Sequence, residues 1–102
     1  MITQSQTYVD ACTIRGILDL LQEEPAPVIT VRLVAMTQHV SMPTAKRLLD
    51  GLEAARIIEH PTREADVLGS MQKVPCMGWR MTDAARKGEI PMDAEKLAGG
   101  MA

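Results

Sequence analysis

The sequence predicts a mainly α chain of the α+β class, with a three-helix core carrying a two-stranded β-hairpin. Three observations predict it. Residues 30–58 read as two helices joined by His39 and Val40: Thr30 and Ser41 are good N-caps, and Pro43 falls in a first turn where a missing N–H does little harm. The stretch from Thr7 to about Gln22 repeats its apolar residues at helical spacing. Beyond it, Arg56–His60 and Cys76–Met81 read as strands separated by a polar segment containing Gly69.

At 102 residues the chain suits one domain with a modest core, and an apolar content of 46% places it among folding sequences. Phe is absent and there is one Trp and one Tyr, so aliphatic side chains and eight Met must fill the interior. That many Met points to an adaptable core or to an apolar surface that a partner covers. So few rings exclude a stacking platform for single-stranded nucleic acid. The net charge of −2 does not advertise a nucleic-acid binder, but the balance shifts along the chain. Residues 41–80 hold six basic side chains against five acidic ones, whereas residues 1–40 hold two against four. Any DNA site is therefore a local patch.

Cys12 and Cys76 lack metal-ligand neighbours, and His39 and His60 have no zinc-site spacing, so two reduced cysteines and no metal or cofactor are expected. Neither a signal peptide nor an apolar run of membrane-span length is present, so a cytoplasmic protein without membrane contact is expected.

In order, residues 1–6 read as a loose arm and residues 7–88 as the domain. The first helix directs Val9, Cys12, Ile17, Leu18 and Leu21 inward, with Gly16 permitting close packing. Val28–Ile29 is a candidate short strand. The next helix buries Leu33, Val34, Met36 and Thr37. Its successor sets Ala45, Leu48, Leu49 and Leu52 on one stripe, with Pro43, Arg47, Asp50 and Ala54 opposite. Lys46 and Arg47 lie off that stripe, so truncating either should leave the fold intact. Thr62–Pro75 reads as a long hairpin loop. Met77, Trp79 and Met81 share one face of the returning strand, with Trp79 as its anchor on the helices. Thr82 caps a short turn, Asp83–Lys87, that stops at Gly88. Residues 89–102 read as a partly flexible tail with one or two helical turns at Asp93–Ala98.

This order of elements is that of a winged helix-turn-helix, and the sequence resembles the DNA-binding domains of IclR- and MarR-type bacterial transcriptional regulators. Three segments carry the resemblance: Ser41–Leu52 as the recognition helix, Ala54–Glu59 as the exit into the wing, and Trp79–Gly88 as its return. The resemblance implies a small regulator, acting as a repressor, with residues 41–55 in the major groove of double-stranded DNA. It points to Ser41, Pro43, Thr44, Lys46 and Arg47 on that helix, to Arg63 and Lys73 on the wing, and to Arg32 near the DNA backbone. Glu64 and Asp66 in the same wing would repel phosphate, so whether the wing touches DNA stays open. His39 replaces a turn glycine and must accept a left-handed conformation, and Arg56 stands where a helix-ending glycine is common. No effector domain follows, so no small-molecule effector is expected. A short stand-alone domain of this kind is similar to phage- or plasmid-encoded regulators. A homodimer is expected on paired half-sites, through the first helix and Met92–Leu97.

No nucleophile–base pair, phosphate-cradling loop or metal cluster supports an enzyme. The competing reading is a winged helix that binds a protein partner and not DNA, favoured by the acidic balance and the Met content.

Overall fold

The computed structural model describes residues 4–101, which form an α+β arrangement of five helices and two small antiparallel sheets. Helix α1 spans Gln4–Leu21, α2 Val31–Gln38, α3 Met42–Ala54, α4 Asp83–Arg86 and α5 Ala94–Gly100. Strand β1 (Ile58–Glu59) pairs with β4 (Arg80–Met81), and β2 (Thr62–Val67) with β3 (Ser70–Pro75).

The caps fall where the sequence places them. Thr30 Oγ1 accepts from Leu33 N at 3.1 Å, Ser41 Oγ from Thr44 N at 3.2 Å, and Thr82 Oγ1 from Ala85 N at 3.2 Å. Each such cap is worth about 1 kcal/mol, because it satisfies a backbone donor the helix leaves open. The two non-glycine helix ends also behave as required. His39 adopts φ 56°, ψ 46°, which lets Val40 N–H reach Ala35 O at 3.1 Å. Arg56 adopts φ 63°, and Ile57 N–H then reaches Leu52 O at 3.0 Å.

The core is built on α3, whose Ala45, Leu48, Leu49 and Leu52 are fully buried. Each buried Leu contributes about 1.5–3 kcal/mol. Against them lie Ala11, Ile14, Ile17, Leu18 and Leu21 of α1, Val34 of α2, and Ile57, Ile58, Trp79 and Met81 from the sheet side. Ile29 bridges Trp79, with N···O distances of 2.8 Å in both directions, so the expected Val28–Ile29 strand is a single paired residue.

Several expectations are corrected. Helix α1 starts by Gln4, so residues 4–6 are helical, while the rest of the expected arm, residues 1–3, lies outside the described residues. Val9 and Cys12 face solvent, and Asp10 and Thr13 are buried in their place. In α2 only Val34 is fully buried; Leu33, Met36 and Thr37 point outward. Gly16 does permit close packing, since a Cβ there would overlap the side-chain amide of Gln38. Thr62–Pro75 is not a loop but a six-pair ladder, closed by Leu68 and Gly69. Met77 is 91% exposed and does not share the buried face of Trp79 and Met81. The helical turns expected at Asp93–Ala98 are present as α5, which runs on to Gly100 and packs on α1 with Ala94 and Ala98 buried, so this part of the expected tail is docked. The two segments expected to join copies of the chain therefore cover each other within one chain.

The β2–β3 hairpin makes its main contacts strand to strand and projects from the helices. The molecule measures 52 × 29 × 23 Å, with a radius of gyration of 14.7 Å where about 13 Å suits a compact chain of this length.

Candidate nucleic-acid interface

Two flanks of α3 are covered. Its leucine stripe faces the core, while Met101 closes a second flank by lying over Gly51, where a Cβ would sit 2.6 Å from the sulfur. What remains in solvent is a strip carrying Met42, Pro43, Lys46, Asp50 and Glu53. This strip borders a groove of about 580 Å³, walled by Arg32 of α2 and its N-cap Thr30 on one side and by His60, Met77 and Trp79 at the hairpin base on the other.

The proposed site residues separate into three groups. Ser41, Thr44 and Arg47 have structural duties. Ser41 caps α3 and its hydroxyl donates to Thr44 Oγ1 at 2.9 Å. Arg47 does not stand free on an outer face. Its Nη2 bonds both oxygens of Asp10 at 3.0 Å, and that carboxylate is only 3% exposed. Gln6 Nε2 adds a third hydrogen bond to Asp10 at 3.1 Å. Among the described residues, Arg47 Nη1 is the buried side-chain nitrogen left without a partner. The expectation that Arg47 could be truncated without cost is therefore corrected: the pair ties α1 to α3 across 37 residues.

Arg32, Pro43 and Lys46 form the second group and do line the exposed end of α3. Lys46 Nζ sits 2.7 Å from Asp50, one helical turn on, with both side chains about half in solvent. An exposed pair of this kind contributes little stability and exchanges easily for another anion. Arg63 and Lys73 form the third group and lie on the projecting hairpin. The register sets Arg63 opposite Val74 and Glu64 opposite Lys73, so the two cations occupy opposite faces of the ladder.

Sequence reasoning did not assign Met42, Glu53 or Met77 to this surface. At the inner end of the groove Trp79 Nε1 donates to Glu53 Oε1 at 2.8 Å, and the His60 ring lies on the indole with centroids 4.5 Å apart. His60 Nδ1 is 2.9 Å from Gly78 O, which fixes the ring between the hairpin base and α3. Asp10 had a legible signal: it sits in phase with Ile14, Ile17 and Leu21, and a carboxylate on a buried stripe requires a partner.

Known protein families, curated proteins and solved structures offer no match to this chain. Function must therefore be argued from the surface itself. Among the described residues no His, Cys, Asp and Glu side chains gather as a metal site, and no helix is long and apolar enough to cross a membrane.

Proposed function

We propose that this chain is a winged helix-turn-helix that binds double-stranded DNA as a small transcriptional regulator, with the N-terminal half of α3 entering the major groove. The observation that carries the reading is the polarity of the exposed strip along α3. Its first turns present Ser41, Met42, Pro43 and Lys46 beside Arg32 and hold no acid; Asp50 and Glu53 come only in the second half, toward the hairpin base. A helix entering a groove by its N-terminus offers bases and phosphates that first half, where the helix dipole also favours anions. The hairpin adds Arg63 and Lys73 but also Glu64 and Asp66, so the reading rests on α3 and Arg32.

The test is fluorescence anisotropy of a random-sequence duplex pool of about 30 base pairs, titrated at increasing salt. Binding should weaken linearly in log–log form, because releasing the same counterions into more concentrated salt gains less entropy. Lys46→Ala should weaken all bound sequences alike and lower the salt slope by about one unit. Asp50→Asn should act in the opposite direction, tightening binding several-fold, because it frees Lys46 and removes a negative charge from the strip. Weaker binding by Asp50→Asn would contradict the assigned orientation of α3.

One observation favours a second reading. Met42 and Met77 stand 49% and 91% exposed on either side of a groove whose inner end is acidic. That chemistry suits an apolar, basic segment of a protein partner. Absence of any salt-sensitive association with duplex DNA would end the DNA reading in favour of this one.

A further inference from the structure

We infer that α3 selects duplex DNA by methyl contact: Met42 is the base-reading side chain, and bound sequences set thymine methyl groups against the first turn of the helix. The inference rests on the DNA-binding reading above and names what that surface selects.

A protein reads the major groove in two ways, by hydrogen bonds to base edges and by apolar contact with the C5-methyl of thymine. The first way is closed along α3. The chain contains no Asn, and no Gln falls between Ser41 and Ala55, so no amide is there to grip adenine. The one guanidinium on α3, that of Arg47, holds both oxygens of buried Asp10 through Nη2. Asp50 and Glu53, which could accept from cytosine, are taken by Lys46 and by Trp79. Ser41 Oγ accepts from Thr44 N and donates to Thr44 Oγ1, so the hydroxyls serve each other. Lys46 is a point charge, which suits phosphate. Arg32 is a fork, but it stands on α2, the helix that crosses the backbone in this arrangement.

The second way is open. Met42 is the first residue of α3 and 49% exposed, and Pro43 beside it also lies in solvent. Met42 is not one of the side chains packed on the core, so the fold gives it no task of its own. Both residues stand at the end of the helix that meets base edges. They lie in the half of the strip that holds Lys46 and Arg32 and no acid, where a duplex is held by its phosphates. A thioether on three rotatable bonds adapts to a methyl group on either strand. Burying one such methyl group is worth about three- to fourfold in affinity. Uracil is thymine without that methyl group and keeps the same hydrogen-bonding edge, so exchanging the two bases isolates the contact.

The test uses duplexes of about 30 base pairs drawn from the bound fraction of the random pool, each made with thymine and again with uracil. Anisotropy reads both affinities across a salt series. For the wild type, uracil should weaken binding by about three- to tenfold, the contribution of one or two methyl groups. The salt slope should not change, because no phosphate contact is lost. Met42→Ala should bind thymine and uracil duplexes alike, with a circular dichroism melt like that of the wild type. Met42→Leu, which keeps an apolar side chain of similar size, should restore the preference for thymine. Equal affinity of the wild type for the two duplexes would overturn the methyl contact while leaving DNA binding intact. A thymine preference that persists in Met42→Ala would also overturn it, since the preference would then belong to duplex shape. No association of the wild type with the pool at any salt would remove the DNA reading and the methyl contact together.

Discussion

Arg47→Ala is expected to destabilise the chain by about 3 kcal/mol, the low end of the range for breaking a buried ion pair by removing one partner. Asp10 is 97% covered in the side chain and, among the described residues, would keep the Gln6 hydrogen bond alone. The low end applies because Arg47 is itself 39% exposed, so water reaches one side of the pair. For a domain of this size the loss corresponds to a fall in Tm of roughly 12–24 °C, measurable by circular dichroism. Replacing both partners, Asp10→Leu with Arg47→Met, should recover most of the loss, since two apolar groups leave no charge stranded. The double variant also removes the unpartnered Nη1. An Arg47→Ala protein that melts like the wild type would show the pair to be idle and return Arg47 to the list of candidate DNA contacts.

Trp79→Ala should cost about 3–5 kcal/mol, the largest single effect expected in the chain. Trp79 is 4% exposed and joins three parts of the molecule. Its backbone bridges Ile29, its indole N–H donates to Glu53 on α3, and its ring carries His60 from the hairpin base. Trp79→Phe separates these contributions: it keeps most of the apolar volume and loses the hydrogen bond, for about 1 kcal/mol plus the lost packing. Urea unfolding followed by circular dichroism reads both variants. A cost below about 1 kcal/mol for Trp79→Ala would mean that the ring is not an anchor.

The helix pair was legible because its signals are local. Thr30, Ser41 and Thr82 each act on a backbone group three residues away, and the Ala45–Leu52 stripe follows from helical spacing alone. The hairpin was not legible, since alternation appears in a strand only when one of its faces is pressed against a core. Residues 62–67 and 70–75 are mostly exposed on both faces, so no period of two is written into them. Helix α1 was misphased for a different reason. Helical spacing puts Asp10 on the buried stripe with Ile14, Ile17 and Leu21, but its charge argues against burial, and the Arg47 that permits it lies on α3. The same blind spot affected the site: a helical wheel shows Arg47 opposite the leucine stripe and cannot show that α5 closes a second side of α3. Lys46, Arg32 and the hairpin cations were chosen by residue type and offset, and their exposure follows where no distant partner intervenes.

The packing of α5 on α1 has a consequence for how the chain acquires its structure during synthesis. Helix α1 leaves the ribosome before the other elements described, yet part of its apolar surface waits for Ala94 and Ala98, more than seventy residues later. Contacts that distant close late, because the intervening chain must be ordered before they are rewarded. Until residues 94–98 emerge, the nascent chain carries an uncovered apolar helix face, the kind of surface that chaperones hold and that associates with other unfinished chains. A nascent chain stalled before residue 94 should therefore be more sensitive to protease than one stalled far enough on for α5 to dock, and equal sensitivity of the two would show that α1 is secured without it.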